Sequence, residues 1–424
     1  MALYWPVTTW MKAAETCRIV KAENSDGFTL YVIVMYLPSY SWTIKRRYSE
    51  FHDLQEKLVA HWNVEKSLLP PKKLFGNQSE AFIQQRQIDL EVYLQTLIHQ
   101  FSILPPPLIS FLDFHKYEIR TIAEDLAETF FYLGDELLTS GKKYKLCPLQ
   151  LHALTERLKL AEPPCSSGDK KRDIGHLLEF VSQLHHLKVL GSNDPVGQSN
   201  IIPNQLTFDI SPFKSLEILE MEGCEVAEHV TTGSSLRESL VTIKIHQSLD
   251  SLASFLLCDD VHWSVTENLS TWPVWQCVQE VDLSHNNITA IDSSVKLLFA
   301  VETLNLSHNQ ISAIENLESL PHLSLLDLSH NKICEVVNLH TKLGNIRTMK
   351  LHHNSIKSVQ GFARLYSVVE LDLTHNKIAS VAEVGYLGAL PCLEILDLAG
   401  NPVANAVDFR PQALAAFDTR AAEV

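Results

Sequence analysis

Asparagine recurs at Asn286, Asn309, Asn331, Asn354, Asn376 and Asn401, in steps of 23, 22, 23, 22 and 25 residues. Each closes one version of L-x-L-x-x-N, as in Val281-Asp-Leu-Ser-His-Asn286, Leu304-Asn-Leu-Ser-His-Asn309 and Leu371-Asp-Leu-Thr-His-Asn376. A fixed period of this length means stacked copies of one small unit, because no single copy can bury its own apolar face. The alternating leucines give each copy a short strand. The asparagine amide is suited to satisfying backbone groups left over where the chain turns away from that strand.

Weaker copies precede these. Leu216 to Cys224 has cysteine at the asparagine site, Leu240 to Ser248 has serine, and Leu184-His-His-Leu187-Lys-Val189 is the candidate first strand. The 38 residues from Ser248 to Asn286 exceed one period, so a loop or short helix, roughly Leu252 to Trp272, is expected there. The pattern resembles the leucine-rich-repeat family, which implies a solenoid whose outward strand residues line a concave, protein-binding surface. Between the two strand leucines stand Glu220, Lys244, Asp282, Asn305, Asp327, Lys350, Asp372 and Asp397, five of eight acidic. A basic peptide or kinase surface suits that face, and a merely solvated acidic surface is the alternative. His285, His308, His330, His353 and His375 form a second column, which repeat duplication explains without chemistry; no metal site is predicted, because ligands stacked in a row do not converge on one ion.

The first 117 residues read differently. Phe28 to Tyr36 and Ser41 to Lys45 are rich in β-branched and aromatic residues and predict a hairpin across Pro38. Phe51, Leu54 and Leu58 then recur at helical spacing, with Ser49 as the expected N-cap. Arg46, Arg47 and Tyr48 therefore fall at a strand-to-helix junction, where forked guanidinium donors suit phosphate and a tyrosine ring gives a sugar a flat floor. Leu68-Leu-Pro-Pro-Lys-Lys-Leu-Phe75 follows: Lys72 and Lys73 offer cations to anionic lipid, and Leu68, Leu69, Leu74 and Phe75 are candidates for membrane insertion. A second helix, about Ser79 to Gln100, carries Arg86 four residues ahead of Leu90.

Arg46-Arg-Tyr-Ser-Glu-Phe51, Leu69-Pro-Pro-Lys72 and Arg86 before Leu90-Glu-Val-Tyr-Leu94 resemble, in order and spacing, the PX domain family. The resemblance implies an α+β fold, a small antiparallel sheet with helices, that binds phosphatidylinositol 3-phosphate. It assigns Arg47 to the 3-phosphate, Tyr48 to the inositol ring, Lys72 to the 1-phosphate and Arg86 to the ring hydroxyls. A PX-like unit that serves protein interaction without lipid selectivity is the alternative.

Three segments follow: a PX-like domain over 1–117, a helical connector over 118–171 and the repeat solenoid with its C-terminal cap over 172–424. The connector shows two helical patterns, and Pro163 to Lys171 has linker composition. Net charge is −15 and uneven: 1–117 holds 12 Lys+Arg against 11 Asp+Glu, leaving 23 against 39 for the rest. An anionic surface is thus approachable only by the first segment, and nucleic acid is excluded as a partner. The eight cysteines form no C-x-x-C pair, which suits reduced thiols in the cytosol. The apolar run Phe28 to Leu37 is about half a membrane span, so any membrane contact is expected to be peripheral. No G-x-S-x-G, H-E-x-x-H or G-x-G-x-x-G motif occurs, and neither enzyme activity nor a cofactor is predicted.

The order of PX signature, connector and repeats resembles the imidazoline-receptor-candidate family. That resemblance implies a cytoplasmic scaffold, peripheral on early and recycling endosomes and the plasma membrane. It further implies binding of integrin α-subunit tails and restraint of Rac and p21-activated kinase signalling, and so of cell migration. An imidazoline receptor is the alternative from the same resemblance, which leaves self-association open.

Overall fold

The computed structural model describes residues 16–25, 28–38, 40–72, 79–101, 104–159, 171, 173–257 and 272–417. The chain falls into two compact units, one of residues 1–132, 152–177 and 192–203, the other of 133–151, 178–191 and 204–424.

In the first unit, β1 (Cys17–Ser25), β2 (Phe28–Tyr36) and β3 (Ser41–Arg47) make an antiparallel sheet in the order β1-β2-β3. Helix α1 (Tyr48–Trp62) starts directly from β3, and α2 (Glu80–Gln100) runs beside β1. The expected cap at Ser49 is displaced: the helix begins two residues earlier, Arg47 is the N-cap, and its N–H donates to the Glu50 carboxylate at 2.9 Å. Phe51 anchors the core, with its ring 4.9 Å from Phe111, 6.2 Å from Tyr31 and 6.3 Å from Tyr93. Trp42 is 1% exposed and donates its indole N–H to the Leu112 carbonyl.

The outer edges of this sheet are covered. On the free side of β1, Glu91 accepts the Ile19 N–H, while Gln87 and Gln95 donate to the carbonyls of Ile19 and Cys17. These three side chains recur every four residues along α2, so one helix face meets a strand edge that is otherwise a template for aggregation. On β3, the Thr43 N–H donates to the Gln198 carbonyl, and Trp42 bridges to Ser199. Residues far down the sequence thus complete the PX-like unit.

The second unit is built on a ten-stranded parallel sheet: β4 (Tyr144–Leu146), β5 (His186–Leu190), β6 (Ile218–Glu222), β7 (Thr242–His246), β8 (Glu280–Asp282), β9 (Thr303–Asn305), β10 (Leu325–Asp327), β11 (Thr348–Lys350), β12 (Glu370–Asp372) and β13 (Ile395–Asp397). The segment read as a purely helical connector does contain helices Ile119–Thr139 and Pro148–Lys159, but Tyr144–Leu146 between them is a strand paired in parallel with β5. The strand at 186–190 is therefore the second of the sheet, not the first. The linker at 163–170 and most of the insertion expected over 252–272 lie outside the described residues; of the latter, Ala253–Leu256 is helical.

The asparagine ladder has its physical cause in place. Asn309 is 8% exposed; its Nδ2 lies on the carbonyls of Leu283 (2.9 Å), Leu306 (3.0 Å) and Ser307 (3.1 Å), and its Oδ1 accepts the Ile288 N–H. The substituted copies extend the ladder: Asn286 Oδ1 accepts the Ser248 N–H, and Ser248 Oγ accepts the Cys224 N–H. At the other end, Leu396 is half-exposed, whereas its counterpart Leu371 is 0% exposed.

Candidate functional site

Two consecutive arginines end β3, and strand alternation sends them to opposite sides. Arg46 turns inward. Its Nη2 meets Asp113 Oδ1 at 3.0 Å, its Nε donates to the Phe111 carbonyl, and its guanidinium lies 5.4 Å from the Phe111 ring centre. This arginine is a structural tie, and its expected part in headgroup binding is corrected accordingly. Arg47 is exposed, and among the described residues its guanidinium has no hydrogen bond or ion pair.

Arg86 is the opposite case: it is 7% exposed. Its guanidinium carbon stands 4.3 Å from the Tyr48 ring centre and 4.3 Å from the Phe82 ring centre. One Nη2 donates to the Pro71 carbonyl at 2.9 Å, and the Tyr31 hydroxyl is also within hydrogen-bonding reach. No carboxylate pairs with it among the described residues. Burial pushes up the Tyr31 and Tyr48 hydroxyls, against the pull of Arg86, so both rings stay neutral around the cation. A buried guanidinium without a counter-ion is costly unless something anionic, or a set of acceptors, arrives to meet its spare donors.

The proline loop is tied to the same cluster. Tyr48 donates its hydroxyl to the Pro70 carbonyl and Arg86 reaches the carbonyl of Pro71, so two adjacent prolines fix where Lys72 leaves the loop, exposed. Of the residues expected to enter a membrane, Leu69 is 7% exposed and packs inside the unit, a correction, while Leu68 is partly exposed. Lys73, Leu74 and Phe75 lie outside the described residues. Sequence reasoning missed Tyr31 and Phe82. Phe82 sits four residues before Arg86 on α2, so helical spacing alone would have placed the two side chains together.

On the repeat sheet, strand register places Glu220, Lys244, Asp282, Asn305, Asp327, Lys350, Asp372 and Asp397 side by side in one column. It extends through Lys188, on the strand expected at 184–189, to Lys145, which was missed because β4 was not foreseen. Glu220 is met by Lys143 at 3.1 Å and His186 at 3.0 Å, and Lys244 by Glu280 at 2.9 Å. Asp282, Asp327, Asp372 and Asp397 each accept the N–H two residues on, closing the strand end as Asn305 does. Burial opposes ionisation of Asp282, yet hydrogen bonds from His246 and Ser284 hold its pKa down at about 2. Part of the acidic column is thus explained by turn geometry.

Residues 35–115 match the PX domain family and residues 277–333 the leucine rich repeat family. The chain carries a PX domain, with its small antiparallel sheet and helices, followed by leucine-rich repeats. It is similar to sorting nexin-16 of Rattus norvegicus, 31% identical over 184 residues, which is 38% of this chain and 53% of that protein. The chain thus spans about half the length of that relative. Among solved structures, an internalin (inlF) from Listeria monocytogenes is 17% identical, covering 58% of this chain and 68% of its own, with a TM-score of 0.40. A designed CISK-PX domain is 27% identical, covering 23% of this chain and 98% of its own, with a TM-score of 0.21. No described helix is long and apolar enough to cross a membrane.

Proposed function

We propose that this chain is a non-enzymatic scaffold recruited to membranes through its PX domain, with phosphatidylinositol 3-phosphate as the lipid and the repeat sheet as the platform for proteins. The observation that carries the reading is Arg86, buried between Tyr48 and Phe82 with no carboxylate beside it among the described residues, next to the loop that presents Lys72. Arg47 supplies an exposed guanidinium, unpaired among the described residues, on the strand that leads into Tyr48. In this reading Arg47 takes the 3-phosphate, Lys72 the 1-phosphate, Tyr48 the ring face and Arg86 the ring hydroxyls.

The order of PX domain and repeats supports the finer identification with nischarin, and with it integrin α-subunit tails, Rac and p21-activated kinases as partners. The same order of domains supports an endosomal site of action. A soluble headgroup titration tests the lipid choice. Inositol 1,3-bisphosphate should bind the full chain, and the 1,4- and 1,5-isomers should bind at least about tenfold more weakly, the cost of one misplaced charge-assisted contact. Equal affinity for all three would leave a nonselective anion site, and no binding would favour a protein-interaction module.

A further inference from the structure

His285, His308, His330, His353 and His375 occupy the residue after each strand turn, with φ of 55°, 53°, 52°, 56° and 54°. This left-handed backbone lines up their side chains, and each N–H donates to a carbonyl of the following repeat, from Ser307, Ser329, His352, Thr374 and Ala399. The five rings form one continuous stack. Successive centroids are 4.2, 4.1, 4.3 and 4.3 Å apart and the interplanar angles 11°, 12°, 14° and 10°. Their outer parts remain open to solvent: His330 is partly exposed and the other four are exposed.

Duplication accounts for the presence of these histidines but not for the consequence of stacking them. A proton added to one ring stands within about one ring diameter of the next, so adjacent rings resist being charged together. Around the column stand His246, whose ring is 6.4 Å from His285, and His352, 5.3 Å from His330 and 5.7 Å from His353. Asp327 also faces it, while Asp282 is 3.3 Å from His246 and Asp372 is 3.0 Å from His352.

We propose that this stacked column is a proton-responsive element of the repeat unit, its adjacent rings resisting joint protonation on acidification at the expense of the folded solenoid. His308 and His330 are held below the ordinary histidine value, first by partial burial and then by the neighbouring histidines, with Asp327 opposing. The sign follows from that depression. Below about pH 6.5 the unfolded chain binds these protons more readily than the folded one, so stability present above that pH is lost as pH falls. This inference is independent of the headgroup reading.

Ring-resolved NMR titration of the histidines in the full chain tests it, with His330→Asn as the variant, since asparagine tolerates the left-handed backbone. Removing the neighbour should move the His308 midpoint upward, toward the free-histidine value. The drop in the solenoid's thermal midpoint between about pH 7.5 and about pH 5.5 should shrink with it. An unmoved His308 midpoint together with an undiminished drop would overturn the proposal and leave the column a by-product of duplication. Should His330→Asn fail to fold, His285→Asn at the end of the stack gives the same readout on His308.

Discussion

The Arg86 guanidinium lies 4.3 Å from the centre of the Tyr48 ring and equally far from that of Phe82, and no carboxylate answers it among the described residues. On the proposed headgroup reading, such an arrangement serves binding at the expense of folding. Arg86→Met, which keeps the stem and removes the charge, should therefore weaken headgroup binding by at least about tenfold while leaving the thermal midpoint unchanged or raised. A variant that loses binding only because it unfolds would show a lowered midpoint instead.

Arg46 and Asp113 should behave in the opposite way. Their 3.0 Å pair is mostly shielded, with side chains 19% and 16% exposed, so Arg46→Ala leaves the Asp113 carboxylate only the exposed Lys116, 3.3 Å from its other oxygen. Chemical denaturation should show a loss of about 1–3 kcal/mol. Vesicle binding by the folded fraction should be retained, and a double-mutant cycle with Asp113→Ala should give a coupling of the same sign.

Asn309→Ala removes one amide that serves three carbonyls and one N–H in two successive repeats. Leaving buried backbone groups unpaired should cost about 2–4 kcal/mol in the solenoid's unfolding transition. A loss under about 0.5 kcal/mol would mean that water replaces the amide, as at an exposed site.

Gly400 ends the histidine column for a steric reason. Its φ is +73°, and a Cβ there would come 2.5 Å from His375 Nδ1. Gly400→Ala should lower the solenoid's thermal midpoint, and adding His375→Ala should restore part of the loss, the remainder being backbone strain of about 1–2 kcal/mol. Gly344→Ala, where nothing lies within 4 Å of the added carbon, is the control and should be neutral or slightly stabilising.

The repeats were legible because their period is enforced by the asparagine amide, whose bonds admit few substitutes. The Cys224 and Ser248 copies were still found from their leucines, and they do continue the ladder. β4 was not legible: three residues, Tyr144 to Leu146, carry too little pattern to outweigh the helices on either side. At the proposed site, the family resemblance assigned roles to Arg47, Tyr48, Lys72 and Arg86, while Arg46 stayed a candidate beside them because the sequence does not show what ties it down. Those ties run to Asp113 and the Phe111 carbonyl, 67 and 65 residues away. Leu69 looked exposed because the sequence does not show what covers it. Nor does it show that 198–200 complete the edge of β3.

That last contact decides how the central claim is best measured: in the full chain, since a fragment of the first 120 residues lacks the segment bonded to Ser41 and Thr43. Co-sedimentation with liposomes that do or do not contain phosphatidylinositol 3-phosphate, for wild type and Arg47→Ala, is the direct test. Lipid-dependent binding that falls at least about tenfold in Arg47→Ala, with an unchanged thermal midpoint, is the expected result. Wild-type binding that is absent, indifferent to the lipid, or unaltered by the substitution would contradict the account.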